Sequence, residues 1–288
     1  MGLRFLGETV LNPDLFNVAI FLVNGEKILR PYGTTPHPNV LALFLFMAVF
    51  AYYFLYVADS RFSRSKAGLA IYSILFFGLL LTFSRVIILG WAAGVGLRLI
   101  IFNKNKKFWR LAENLNFKTL TIITLAVLVL FSILFWPQVT ARMDISPQEE
   151  AVSLRGLYNR VSLFEKSFFG VGLGNFVNWF KEINPGLAPN LYQPVHNIYL
   201  LIFSETGILG LAAFLLFLIF MGKSYLSVKV NQPFYYSFFI VFVSLLFFGL
   251  FDHFLWTLQQ GQIIFWLVLG LIAAFAKQAE KNRDVPVA

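Results

Sequence analysis

Seven apolar runs dominate the chain. They are Val40–Ala58, Ala67–Ser84, Val86–Phe102, Thr119–Trp136, Ile198–Met221, Phe234–Phe251 and Gln262–Ala276. Crossing a hydrocarbon core as a helix takes about 20 mostly apolar residues. The third run is short, with Arg98 near one end, and the fifth holds Glu205. None alternates with period 2, and backbone groups in lipid must bond within their own segment, so the runs predict helices. The expected fold is all-α: a polytopic membrane helix bundle with about seven transmembrane helices.

Between the fourth and fifth runs lies a segment of about 60 residues, 138–197. A connection of that length inside a compact domain is usually functional. Leu154, Leu157, Tyr158, Val161, Phe164 and Phe168 recur at helical 3–4 spacing, which predicts an amphipathic helix on the outer membrane surface. Ser153, just before that run, is the expected cap. Gly170-Val171-Gly172-Leu173-Gly174 ends it, and Pro185, Pro189 and Pro194 mark an irregular return. No sequence repeat or low-complexity tract interrupts the pattern.

Composition sharpens the class. The 288 residues are 58% hydrophobic and 13% charged, with 35 Phe and no Cys, and the mean hydropathy is +0.73. A soluble domain carries about 25% charged residues, so an ordinary cytosolic enzyme is excluded. So is a disordered chain, which would be poor in apolar residues. Without Cys there is no disulfide framework, thiol nucleophile or Cys-based metal site.

The net charge of +9 is placed on alternate connections. Asp59–Lys66, Arg98–Lys118, Gly222–Pro233 and Lys277–Ala288 carry +2, +5, +2 and +1, while residues 1–39 and 138–197 are each neutral. Basic loops stay cytoplasmic. The expected layout is an extracytoplasmic N-terminal segment over 1–39 and transmembrane helices one to four over 40–137. An extracytoplasmic catalytic loop over 138–197, helices five to seven over 198–276 and a cytoplasmic tail over 277–288 follow. The basic charge is then a topology signal with anionic-lipid contact, and no nucleic-acid partner is expected. An N-terminus outside requires either spans upstream of residue 1, the favoured reading, or an interfacial helix over Leu15–Val23, since residues 1–30 carry no signal-peptide pattern.

Several residues could carry chemistry. His196 stands where the long loop re-enters the membrane, in Pro194-Val195-His196-Asn197. It suits proton abstraction near neutral pH, against a bland role as a helix-start hydrogen bonder. Arg85 follows Ser84 at the outer end of the second helix, and it is either functional, able to hold a phosphate through two hydrogen bonds, or a snorkelling anchor. Arg155 and Arg160 on the loop helix point about 140° apart and cannot both face one site squarely. Arg155 shares a face with Asn159, Ser162 and Lys166, opposite the apolar stripe. Glu205 falls about 13 Å below His196. A buried acid must pair or be protonated, and the reading leans structural, with Arg98 or a hydroxyl as partner. Asp252 and His253 line the same cavity or cap a helix end. The Gly170–Gly174 run lacks the strand and spacing of a dinucleotide fingerprint, and reads as a tight turn whose N–H groups could meet an anion. No metal-ligand spacing and no Walker loop is present.

In sequence order these features resemble a known family. They are Ser84-Arg85, Arg155, Phe169-Gly170-Val171-Gly172-Leu173-Gly174-Asn175-Phe176, His196-Asn197-Ile198-Tyr199-Leu200 and Glu205-Thr206-Gly207-Ile208-Leu209-Gly210. With His37-Pro38-Asn39, Asp252 and Gln259-Gln260-Gly261-Gln262, the series is similar to the O-antigen ligase and O-antigen polymerase superfamily of bacterial membrane glycosyltransferases. It covers about residues 30–276 and corresponds to the C-terminal part of the family pattern. The resemblance implies transfer of a glycan from a polyprenyl-diphosphate carrier to a hydroxyl of a glycan or lipid-A-core-type acceptor. Transfer would occur at the outer face of the bacterial cytoplasmic membrane, in surface polysaccharide biosynthesis, with no nucleotide sugar, metal or cofactor. It implies His196 as base and Arg85 and Arg155 as diphosphate-binding residues. Arg160 is the alternative, because the stretch from Arg155 to Gly170 is a few residues short. Asn197, Glu205 and Asp252 would be supporting residues. A lipid or polysaccharide transporter, or a non-catalytic truncated remnant, are the competing readings, and the motifs serve ligase and polymerase alike.

Overall fold

The computed structural model describes residues 11–15, 18–57, 65–103, 115–143, 150–164, 168–227 and 233–283. Most of the four basic connections lie outside these residues, as do Glu149, Lys166 and the side chain of Arg98. The described backbone is mostly helical, with one two-stranded hairpin. The chain forms two compact units, residues 1–145 and 146–288.

The first unit opens with β1 (Ile20–Val23) and β2 (Glu26–Leu29), paired antiparallel. Asn24 and Gly25 both take positive φ, 51° and 87°, as a two-residue type I′ turn requires. The alternative of an interfacial helix over Leu15–Val23 is therefore corrected: an Asn-Gly turn reverses the chain before a helix could use that apolar stretch. Among the described residues the helices that follow are α1 (Pro38–Val57), α2 (Lys66–Leu81), α3 (Arg85–Asn103), α4 (Leu115–Leu134) and α5 (Trp136–Met143). Helix α1 packs against α2 and α3, α2 against α4, and α5 against β1. Leu43, Phe46, Tyr72, Phe76 and Leu79 form the buried seam between them. Helix α4 turns by 93° into α5, because Pro137 has no N–H to continue the ladder. The run expected to reach Trp136 thus ends at Leu134.

The second unit contains α6 (Glu150–Phe164), α7 (Phe176–Ile183), a 3-10 turn at Pro189–Leu191, α8 (Ile198–Leu226), α9 (Pro233–Gly249), the short α10 (Phe254–Thr257) and α11 (Gln259–Arg283). Helix α6 begins at Glu150, so Ser153 sits within its first turn and is not the cap, and Phe168 lies beyond its end. The apolar stripe of α6 meets protein: Leu154, Tyr158 and Val161 join Phe176, Phe180, Val195 and Leu201 in one cluster. Ser162, expected on the polar face, is fully buried, and its hydroxyl donates to the carbonyl of Asn159.

Each of the seven apolar runs is helical over most of its described residues, with residues 82–84, Phe135 and residues 250–251 outside the helices. Among the described residues two helices, Ile198–Leu226 and Gln259–Lys277, are long and apolar enough to cross a membrane. The bent pair Lys118–Leu134 and Trp136–Met143 makes a third if taken as one span. Pro38–Tyr53, Lys66–Leu81, Arg85–Leu97 and Phe238–Gly249 are shorter apolar helices. Large apolar side chains point outward along these helices, among them Ile74, Leu89, Ile122, Val129, Ile133, Leu216 and Phe220. Exposed apolar faces of this extent mark a surface made for another apolar phase.

Candidate functional site

The candidate residues are divided between the two units. In the first, Arg85 is the first residue of α3 and is half-buried. The break from α2 to α3 is a three-residue turn. Thr82 caps α2 by bonding back to Leu79, Phe83 takes φ +50°, and the Ser84 carbonyl accepts from Ile88 to start α3. Three side chains hold this turn. The Arg30 Nε donates to the Thr82 carbonyl at 3.0 Å and its Nη2 to Asn39 Oδ1 at 2.7 Å. The Ser84 hydroxyl donates to the same Asn39 oxygen at 3.0 Å. The Arg142 Nη2 donates to the Phe83 carbonyl at 3.3 Å, and its guanidinium lies over the Phe21 ring. Phe83 is in turn wedged among Phe21, Phe131 and Phe135. Arg30 and Arg142 therefore both hold the turn that leads into Arg85. Sequence reading missed both, since neither stands in a recognisable motif with Arg85.

In the second unit, the turn Gly170–Gly174 locks onto α8. Helix α8 breaks at Gly207 (φ 69°, ψ −170°). A break frees carbonyls of the preceding turn, and two are taken up from the loop: Val171 N donates to Ser204 O at 2.8 Å and Gly172 N to Glu205 O at 3.0 Å. Gly170 (φ 74°) and Gly207 make this approach possible. A Cβ on Gly170 would stand 2.5 Å from Thr206 N, and one on Gly207 2.9 Å from Gly170 N. The acidic group met by this turn is the protein's own: the Glu205 carboxyl accepts from the backbone of Gly174 and Phe176 and from the Trp256 indole. Phe176 opens α7, so the carboxylate also sits at the positive end of a helix. These partners stand where a hydroxyl was expected; the other expected partner, the Arg98 side chain, lies outside the described residues. Glu205, Phe176, Trp256, Thr257, Gln262 and Trp266 line a cleft of about 510 Å³.

His196 directly precedes α8. Asn197 is the N-cap, its Oδ1 accepting from Tyr199 N at 2.9 Å and Leu200 N at 3.1 Å. The His196 ring lies parallel to Tyr158, centroids 6.3 Å apart, and edge-on to His253 at 4.9 Å. Asp252 and His253 occupy the turn between α9 and α10. Asp252 is buried, and its carboxylate accepts from the backbone N–H of His253 at 2.7 Å. His253 Nδ1 pairs with the Thr257 hydroxyl at 2.5 Å. Burial pushes the His253 imidazole below the ordinary histidine range; Asp252 pulls it up, and the nearby Arg155 guanidinium adds to the lowering. Arg155 is thus close enough for its charge to be felt at this cluster, and it is half-buried, whereas Arg160 is exposed. Burial also raises the Tyr158 phenol, whose hydroxyl donates to the Leu191 carbonyl at 2.5 Å.

One donor atom each from His196, Asp252 and His253 lie within 4.8 Å of one another, so this group could hold a metal ion. Sequence reading found no metal-ligand spacing because the ligands come from two elements far apart in the chain. Together the cluster offers a proton acceptor and a neighbouring cation next to an apolar surface, a set suited to activating a hydroxyl beside an anionic group.

No curated protein and no solved structure matches the chain. A protein-family comparison does: the profile described as O-antigen ligase matches residues 70–215, half of the chain, spanning Arg85, the α6 helix, the glycine turn, His196 and Glu205. The chain belongs to the O-antigen ligase family.

Proposed function

We propose that this protein transfers a glycan from a polyprenyl-diphosphate carrier to a hydroxyl of a glycan or lipid-A-core-type acceptor, at the outer face of the bacterial cytoplasmic membrane. The observation that carries the reading is His196 set between Tyr158, His253 and Asp252, with Arg155 close by, in a chain of the O-antigen ligase family. In this reading all seven apolar helices cross the membrane, with the N-terminus outside and the C-terminus in the cytoplasm.

The acceptor hydroxyl gives its proton to His196 as its oxygen attacks the anomeric carbon. The bond from that carbon to the diphosphate oxygen breaks, and the diphosphate leaves with the electron pair. Direct attack inverts the anomeric centre. Charge grows on the leaving diphosphate, and Arg85 and Arg155 are assigned to meet it, since preorganised cations are worth most where charge develops. The Arg85 assignment rests on its place in the family motif. Asn197 starts α8 and thereby fixes the backbone of His196. Glu205 holds the glycine turn to α8. No metal takes part in the transfer itself.

The test is transfer by the full chain in lipid nanodiscs, with a polyprenyl-diphosphate glycan as donor. His196→Ala is expected to lower turnover about 10²–10⁴-fold, and Arg85→Ala to raise the donor KM and lower kcat. Unchanged transfer by both variants overturns the reading. Mass spectrometry of the products separates the two reactions: longer chains on the carrier mean polymerase, and glycan on the final acceptor means ligase.

A further inference from the structure

We propose that His196, Asp252 and His253 form a binding site for a zinc-type divalent transition-metal ion, and that filling it switches transfer off. The switch, though not the site, rests on the function proposed above.

The donor set is two imidazoles and one carboxylate, with their ligand atoms already within 4.8 Å of one another. Zinc bonds of about 2.0–2.2 Å place tetrahedral donors about 3.4 Å apart. Side-chain rotation alone can cover the remaining distance. Mixed nitrogen and oxygen ligands suit zinc and its neighbours and do not suit Mg²⁺ or Ca²⁺, which demand oxygen.

The surroundings are those of a supported site. Metal-binding histidines commonly hold their second ring nitrogen in a hydrogen bond. His253 does so, with Nδ1 on the Thr257 hydroxyl at 2.5 Å, which leaves Nε2 as its ligand atom. Asp252 is buried, and the backbone N–H of His253 holds its Oδ1 at 2.7 Å. Both ligand-bearing segments are anchored: Asn197 caps α8 beside His196, and Asp252 N donates to Phe248 O at 3.1 Å at the end of α9. Three protein ligands leave coordination positions open.

Charge sets the strength. A divalent ion with one carboxylate keeps a net positive charge, and Arg155 is near enough to act on His253. Binding is therefore weaker and more readily reversed than that of a structural zinc. The consequence follows from the lone pair. An imidazole bonded to zinc through the nitrogen that must accept the acceptor's proton cannot act as base, so transfer stops until the ion leaves.

The experiment uses the full chain in nanodiscs, stripped with EDTA and dialysed. Zn²⁺ binding is read by equilibrium dialysis with elemental analysis, and Co²⁺ by visible absorption, which reports the ligand geometry. The chain has three histidines, and His37→Gln is the control outside the cluster. One zinc per chain is expected, retained in His37→Gln, lost in His253→Gln, and weakened about tenfold in Thr257→Val. Millimolar Mg²⁺ does not compete. Zinc stops transfer by the wild type and EDTA restores it. His253→Gln, compared with its own metal-free rate, loses zinc sensitivity. Absence of bound zinc, or binding that follows His37, overturns the site. Zinc that binds the cluster and leaves transfer unchanged, or that is needed for transfer, overturns the switch. Zinc bound as expected in a protein that transfers no glycan under any condition upholds the site and removes the switch together with the proposed function.

Discussion

The contact between the glycine turn and the break in α8 can be tested with one methyl group. In Gly170→Ala the new Cβ points at backbone, 2.5 Å from Thr206 N and nearer still to the Glu205 carbonyl, so no rotamer change relieves it. Alanine at φ 74° costs about 1–2 kcal/mol from the left-handed conformation. Backing the turn away breaks the bonds from Val171 N and Gly172 N to α8, each worth about 0.5–1.5 kcal/mol net. The sum, about 2–5 kcal/mol, is carried by local opening of the turn. At about 1.4 kcal/mol per tenfold, hydrogen exchange at the Val171 and Gly172 amides accelerates about 30- to 3,000-fold. Gly174→Ala separates the two causes. It has a similar φ, 71°, but no atom within 4 Å of its Cβ, so its effect stays near the conformational cost alone, about tenfold. Equal acceleration in both variants refutes the collision argument, and no acceleration in Gly170→Ala refutes the interlock.

Other positions give further tests, read by thermal unfolding in detergent unless stated. Asn197→Ala removes the α8 cap and is expected to cost about 1 kcal/mol, whereas Asn197→Asp, an equally good cap, leaves stability unchanged. Glu205→Ala leaves the Gly174 and Phe176 N–H groups and the Trp256 indole without their acceptor and lowers stability by about 2–3 kcal/mol. Tyr158→Phe removes the donor to the Leu191 carbonyl, at about 1–2 kcal/mol. Tyr158 also gives a pH signature. Burial holds its folded pKa above the unfolded value, so its stabilisation is complete below about pH 10 and is lost as pH rises through the folded value. Tyr158→Phe should flatten that alkaline loss, and an unchanged slope between the two proteins would count against it.

The helices were legible because runs of about twenty apolar residues leave lipid-facing backbone no other choice, and the motif order carried the family. Other features were hidden for separate physical reasons. The hairpin had a local signal in Asn24-Gly25, but the apolar residues before it were weighed only as helix. Helix α6 begins at Glu150, three residues before Ser153, which the apolar run marked as its cap in the sequence. Gly170 and Gly207 each looked like punctuation, and only their mutual approach shows that one exists for the other. Arg30 and Arg142 reach the Thr82–Arg85 turn through the fold, as His253 reaches His196. Side-chain convergence of that kind has no spacing rule to betray it.

The amino-terminal hairpin has a practical consequence. Two strands alone are at best marginally stable in water. These are secured by Phe21 on Phe83 and by Arg30 on Thr82, the residues that shape the turn leading to Arg85. The hairpin is a clasp on that turn. Trimming the protein anywhere between residues 18 and 31 would unfasten Arg85 from a distance, and the loss would be mistaken for damage to the site itself. A probe fixed at the open tip beside Gly25, where nothing lies within 4 Å of a Cβ, would instead report whether the clasp is shut.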